Sequence, residues 1–496
     1  MAIKTILFYY QYQKSFLVMV AFLAGIAIHS LFPLTKINST QQSIIVFIGL
    51  FSYKIIYHFI KYKKNIPVLK FIFGFIFLGF FWFNLAIPAP IIIHKVYQGQ
   101  IMNKQNSRYG TRMVIALKNN NFLQARSKIY LYTKQKLSIG DNIKFSCQIK
   151  KFNQRPNDTM YKFTMSQKRA QGSCRTNQLQ VLKTSPFWDI REYLWQSKKR
   201  LNQRIQKIIP GDNGVLIAGV LYGEQNMSQR SQELFRQAGL THLIAVSGSN
   251  FTLIISLMSI ILLNFGFHRR QSFWVINIGI IFFLLFVGFS ASVARAAFMG
   301  FLLLFARHTG RLAQVSYTLL ISAFILCLIN PFMLFFDVGF ALSFLATIGL
   351  MVWTPIFTKY LQFIPQKFGL QEIIVTTLSA NIMTIPYTAF CFDKMSFAGL
   401  ITNLFAIPLV PWLMLFGFFN ILWGQFFGWQ YLILPALGLS KMIFLSAKIT
   451  EYIPWLNIKI QHMDFIYMIG IYTILYLIWL KKQTSKKIST KISIFC

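Results

Sequence analysis

The sequence predicts a polytopic α-helical membrane protein carrying one small extracytoplasmic β domain, and three observations lead there. Of 496 residues, 55% are hydrophobic, with 52 Phe, and only 12% are charged. Mean hydropathy is +0.51, far outside the usual globular mix. The apolar residues gather into about twelve runs of membrane-spanning length, and a single long polar stretch interrupts them.

The runs lie near 16–34, 42–60, 67–90, 240–264, 272–288, 290–307, 313–330, 337–357, 372–392, 408–428, 430–449 and 464–480, some of them readable as re-entrant segments. The first is read as a span and not as a cleaved signal, because further spans follow with no polar domain directly behind it. Lys61, Lys63, Lys64 and Lys70 crowd the second loop; Arg269 and Arg270, Arg307 and Arg311, Lys359 and Lys367, and the lysine-rich tail mark later ones. By the positive-inside rule these faces are cytoplasmic, with both termini inside. The organisation expected is residues 1–94 as N-terminal spans, 95–185 as the outer β domain, 186–210 as an amphipathic interfacial helix, 211–480 as a second membrane region and 481–496 as a basic cytoplasmic tail.

Within 95–185, TRMVIAL, KIYLYT and DNIKFSCQIKKF alternate polar and apolar residues around turn signals such as SIGD at Ser138–Asp141, which predicts about five strands. Lys and Arg total 50 along the chain against 12 Asp and Glu, a net +38. Such an excess implies an anionic partner, whether lipid headgroups, nucleic acid or both. The polar stretch alone holds 18 basic residues against Asp141 and Asp158. One reading is a solvated basic surface beside anionic lipid. The other is a footprint for a polyanion through Arg108, Arg112, Arg126, Lys128, Lys144, Lys150 and Lys151. Tyr109, Phe122, Tyr130, Tyr132, Phe145 and Phe152 are interleaved with them and are able to stack unpaired bases, although about half should alternate into the core. In an oxidising outer compartment Cys147 and Cys174 would pair; the alternative is two free thiols. Neither the five cysteines nor the seven histidines show metal-ligand spacing, so no metal or other cofactor is expected.

From 187 to 209, FWDIREYLWQSKKRLNQRIQKII spaces Trp188, Tyr193, Leu194, Leu201 and Ile205 at helical intervals among basic residues, as in a helix lying on a membrane surface. His242–Asn250, HLIAVSGSN, then breaks an apolar run with Ser247, Gly248, Ser249 and Asn250, poor helix-interior residues in succession. Helix, break, helix is the economical reading, and a break at membrane depth is tolerated only where it lines a cavity or is covered by protein. Ser249 or Asn250 would cap the second half-helix, whose positive end favours an anion. The plainer account is close packing of small residues between helices. Arg295, in GFSASVARAAFMG, is the one charge between Phe273 and Leu304, so it should face a pore or an acidic partner such as Asp337. Thr377, Asn381, Thr384 and Thr388, and Gly339, Ser343 and Thr347, form two further polar or small stripes. Together with His242, Ser247, Gly248, Asn250 and Arg295 they suggest the walls of one hydrophilic passage. An intramembrane serine hydrolase at Ser247 is the competing reading, though Ala245 stands where a G-x-S-x-G elbow needs glycine. A transporter of a small anionic solute is a third.

GVLYGEQNMSQRSQELFRQAGLTHLIAVSG (219–248), the Arg295 helix, NPFMLFFDVGFALSFLATIG (330–349) and FDKMSFAGLITNLFAIPLVP (392–411) resemble, in order and spacing, the motifs of ComEC family competence proteins. The basic β segment, with Gly140-Asp141 and NDTMYKF, is similar to that family's OB-like domain. This chain has Ser249-Asn250 where a Leu-His pair is usual, and Asn381 where glutamine is common. The resemblance implies a bacterial inner-membrane channel carrying single-stranded DNA into the cytoplasm during natural transformation. It further implies a periplasmic DNA receptor, a cytoplasmic motor ATPase or single-strand-binding protein as partners, and allows a homodimer. No G-x-x-x-x-G-K-[ST] motif appears, so pulling energy is expected from a partner or the membrane potential. No H-x-H-x-D appears either, and strand degradation is expected to fall to another protein.

Overall fold

A computed structural model describes residues 16–27, 66–86, 96–107, 110–117, 128–133, 135, 137–151, 170–176, 178–184, 189–224, 226–244, 246, 248–310, 314–366, 369–392, 394–423, 433–459 and 463–495. The chain forms two compact units, Met1–Ser197 with Ile255–Phe340, and Lys198–Ile254 with Ala341–Cys496. It is a polytopic α-helical membrane protein with a small β sheet. Among the described residues, Arg270–Val287, Val338–Tyr360, Leu370–Phe392, Gly399–Ile421 and Phe465–Lys482 are long and apolar enough to cross a membrane. The expected run at 42–60 lies outside the described residues. That at 240–264 is broken into two helices, and those at 313–330 and 430–449 hold helices of 15 and 16 residues.

The first unit opens with α1 (Phe16–Ala27) and α2 (Ile66–Ala86). Its sheet follows, with β1 (Tyr97–Ser107), β2 (Gly110–Leu117), β3 (Lys128–Thr133), β4 (Asn142–Phe145), β5 (Lys150–Lys151), β6 (Ala170–Arg175) and β7 (Leu179–Lys183). Seven strands stand where about five were expected. DNIKFSCQIKKF divides into β4 and β5, and the Gln- and Asn-rich β1 shows little alternation from which to read it. The order is β5-β6-β3-β2-β1-β4-β7, with β6 parallel to β3 and every other pairing antiparallel. A β1–β2–β3 meander with β4 beside β1 and a parallel strand beside β3 contains the five-stranded Greek-key pattern of an OB-like sheet. Ile101, Met113, Ile115, Ile129, Leu131, Ile143 and Phe145 form its core. Cys147, just beyond β4, and Cys174 in β6 are joined by a disulfide. The bond ties together two strands that stand four places apart in the sheet order. At the SIGD turn, Gly140 adopts φ 95° and the Ser138 amide donates to Asp141 Oδ2 at 2.7 Å.

Register slips between Ile101 and Asn103, a bulge that breaks the inward–outward alternation of β1. Lys104 is thereby turned under the next element, α3 (Ile190–Ile208). Its Nζ donates to Glu192 Oε2 at 2.9 Å and Oε1 at 3.1 Å, and lies 4.6 Å from the Trp195 ring centroid. The Ile139 amide donates to the same carboxylate at 2.7 Å. The two charged side chains are 3% and 14% exposed. One of the 18 basic residues of the polar stretch 95–185 is thus a structural cation, pinning α3 to the sheet.

The rest of the first unit is helical: most of α7 (Gly248–Asn264), then α8 (Arg269–Val287), α9 (Ala291–His308), α10 (Val315–Ile329) and α11 (Met333–Phe336). Phe22 packs edge-on against Phe324 at 5.1 Å, and Trp82 Nε1 donates to the Leu328 carbonyl, so α1 and α2 both meet α10. The second unit contains α4 (Asp212–Tyr222), α5 (Gln229–Gln237), α6 (Thr241–Ile244), α12 (Val338–Tyr360), α13 (Leu370–Phe392), β8 (Lys394–Ser396), α14 (Gly399–Trp423), α15 (Leu434–Ile449), β9 (Asn457–Lys459) and α16 (Phe465–Phe495). Every residue of α4 from Gly214 to Tyr222 is buried. Its 11 residues span roughly 16 Å at 1.5 Å each, too short for a bilayer and suited to the centre of a helical unit.

Glu192→Ala is expected to leave the Lys104 ammonium buried and uncompensated, destabilising the first unit by about 3 kcal/mol. Chemical denaturation followed by Trp195 fluorescence checks this, and Lys104→Met combined with Glu192→Leu should recover most of the loss.

Candidate functional site

The break in HLIAVSGSN begins one helix earlier, at the end of α5. A helix terminus leaves its last carbonyls without intrahelical partners, and at membrane depth each one needs a donor from the protein. Gly239, at φ 69°, takes the left-handed conformation that ends α5. The Leu240 amide then donates to Phe235 O at 2.9 Å and the Gly239 amide to Arg236 O at 3.2 Å. The next two carbonyls are met from far away in sequence. Ser396 Oγ donates to Gln237 O and Thr402 Oγ1 to Ala238 O, each at 2.7 Å. His242 Nδ1 faces Gly239 O at 3.2 Å, and the Leu243 amide donates to Leu240 O at 2.9 Å. Every carbonyl from Leu234 to Leu240 has a partner.

Two backbones must come close for this to work. A Cβ on Gly239 would stand 2.9 Å from Gly399 Cα, so the turn after α5 and the start of α14 meet backbone to backbone. Ser396 is held in reach by the β8–β9 pair, in which it faces Asn457, and by the Phe397 amide donating to Leu456 O at 2.8 Å. On the other side of the break, α4 braces both half-helices. A Cβ on Gly219 would stand 2.8 Å from Ile244 O, and Asn250 Nδ2 donates to Val220 O at 3.0 Å. Leu243, Ile244, Val246 and Asn250 are buried. Among the described residues at the break, these four are covered by protein.

This placement corrects one expectation, the cap of the second half-helix, and locates the other residues. Asn250 lies inside the first turn of α7, not before it, and spends its amide on α4. Gly248 is the first residue of α7. His242 has an exposed ring and closes the turn below it. Ser247 lies outside the described residues. Asp337, expected in the path or as the partner of Arg295, is buried and caps α12, its Oδ1 accepting from the Phe340 amide at 3.1 Å. In α13 and α12, Thr384 and Thr347 turn their hydroxyls back onto Ala380 and Ser343 carbonyls of their own helices. Thr377 is buried, while Asn381 and Ser343 are half-buried.

Arg295 belongs to the first unit, in the second turn of α9, beyond the Ser290 cap. It is half-buried among Ala291, Ala294, Ala296 and Ala297, all buried, and its Nη1 lies 3.5 Å from Met299 Sδ. His242, Gly248, Asn250, Ser343 and Asn381 belong to the second unit. In the sheet, Arg112 lies over the Tyr130 ring at 4.8 Å, so this aromatic is buried beneath a guanidinium. Lys128 and Lys144 are half-buried on β3 and β4. Lys150 and Lys151 pair with Ser173 and Gly172 through their backbones, and Arg108 and Arg126 lie outside the described residues.

Residues 220–485, which take in the last three residues of α4, all of α5, the break and α14, match the family described as Competence protein. The chain belongs to the competence protein family. A relative within reach, ComE operon protein 3 of Bacillus subtilis (strain 168), is 21% identical over 221 residues, which cover 44% of this chain and 28% of the relative. The aligned stretch is thus under a third of that relative's length. No solved structure matches. The competence region therefore starts in α4, beside the carbonyl that receives Asn250, and runs into α16.

Ser396, Thr402, Gly219 and Gly399 are residues that reading the sequence did not single out. Their signal was present, since all four sit in the quoted motif segments. Which carbonyl each would serve, however, depends on contacts 159 and 164 positions away. Thr402→Val, which keeps the shape and removes the donor, is expected to cost about 1–3 kcal/mol by stranding the Ala238 carbonyl, whereas Thr402→Ser keeps it. The unfolding midpoint of the detergent-solubilised protein separates the two.

Proposed function

We propose that this competence-family protein is a cytoplasmic-membrane channel that passes one strand of DNA inward during natural transformation, with both termini cytoplasmic and the basic β sheet outside. The observation that carries the reading is the family match over 220–485, a region that holds five helices long and apolar enough to cross a membrane together with a helix break. A net charge of +38 suits a polyanionic cargo. Arg295 supports it too. An arginine in an apolar helix costs at least about 2.5 kcal/mol on insertion scales, so one kept half-buried among alanines favours an anionic contact. The DNA receptor that delivers the strand and the motor or single-strand-binding protein that draws it in are separate molecules in this scheme.

The test is uptake of labelled DNA into a nuclease-protected cytoplasmic pool, compared among cells with the protein, without it, and with Arg295→Gln. Expected are loss of the protected pool in the deletion and a fall of at least about tenfold in the variant, equivalent to ~1.4 kcal/mol of lost anion contact. Unchanged uptake in the deletion would overturn the reading and favour a carrier of small anions.

A further inference from the structure

Helix α3 has the composition of a membrane-surface helix, but its apolar face is already used. Leu194, Ile205 and Ile209 are buried, and Glu192 is held by Lys104 of the sheet. An interfacial helix needs its apolar side in the acyl boundary, and here that side faces protein. The opposite side is a single stripe. At 100° per residue, Tyr193, Gln196, Arg200, Arg204 and Lys207 fall within about 60° of one line, on the face away from Leu194 and Ile205. All five are exposed, Tyr193 at 69%.

Resting on the channel reading above, we infer that this stripe is a binding site for a single-stranded nucleic acid, with Arg200, Arg204 and Lys207 meeting consecutive phosphates and the Tyr193 ring stacking a base. Cations one helical turn apart repeat about every 5.4 Å along the axis. Stacked duplex DNA presents a phosphate of each strand every 3.4 Å, so the stripe fits a strand drawn out beyond stacking. An exposed aromatic in line with cations is the arrangement that binds unpaired strands without reading their sequence.

The full-length protein in nanodiscs of zwitterionic lipid, titrated with a fluorescent oligothymidylate over a range of salt, tests this. Three variants accompany the wild type: Arg200→Gln/Arg204→Gln/Lys207→Gln, the charge-keeping Arg200→Lys/Arg204→Lys/Lys207→Arg, and Arg112→Gln/Lys144→Gln in the sheet. If three phosphates are met, the first should bind more weakly and lose about 2 from the slope of log affinity against log salt. The second should keep the wild-type slope, which separates lost contacts from misfolding. If the wild type binds and the triple glutamine variant binds with the same slope, the stripe is not the site and the channel reading stands. If the wild type binds no oligonucleotide at all, the channel reading itself fails and this inference with it. If the triple variant loses only adhesion to vesicles of anionic lipid and still holds the oligonucleotide, the stripe belongs to headgroups and the inference is overturned.

Discussion

Backbone groups buried in protein have no water to turn to, and that constraint organises the second unit. A helix that stops at Gln237, a single turn at Thr241–Ile244 and a new helix from Gly248 leave a run of carbonyls to be answered from within the protein. The chain supplies a left-handed glycine, a serine, a threonine and a histidine at the end of α5, and an asparagine that meets the Val220 carbonyl of α4. Leaving a buried carbonyl unanswered costs about 1–3 kcal/mol, so the group is cooperative in the plain sense that each donor is worth most while the others hold. Two of the motif segments quoted from the sequence, 219–248 and 392–411, supply these contacts.

The first unit obeys a different constraint. There a bulge in β1 turns a lysine under α3, and the carboxylate that meets it also takes the Ile139 amide. A buried pair of this kind contributes little net stability compared with apolar residues, yet it fixes which face of a helix meets which strand. The disulfide acts alongside it by holding β4 and β6, strands far apart in sheet order, around a shared core.

Much of this was legible in the sequence, for reasons that can be named. The membrane class follows from composition, β2 and β3 from clear alternation, the SIGD turn from its Gly-Asp pair, and the break after Ile244 from four poor helix formers in a row. β1 escaped because Gln and Asn mask its period and the bulge shifts it. α4 escaped because an apolar segment of 11 residues falls below spanning length. The amphipathic pattern of α3 correctly marked an apolar face, but periodicity cannot say whether lipid or protein receives it. Nor can local pattern tell a lysine at a surface from Lys104, or see that Asp337 would be needed at the start of α12.

The donors at Ser396 and Thr402 carry a consequence for how the protein is made. Gln237 and Ala238 leave the ribosome about 160 residues ahead of them. At synthesis rates of roughly 5–20 residues per second, the end of α5 waits on the order of ten to thirty seconds before its partners exist. During that interval the N-terminal part of the unit is a nascent segment whose Gln237 and Ala238 carbonyls still lack the donors that meet them in the finished fold. Biogenesis therefore has a late checkpoint, passed only when the chain has been synthesised at least through residue 402, and truncated products stopping short of it are marked as incomplete by their own backbone.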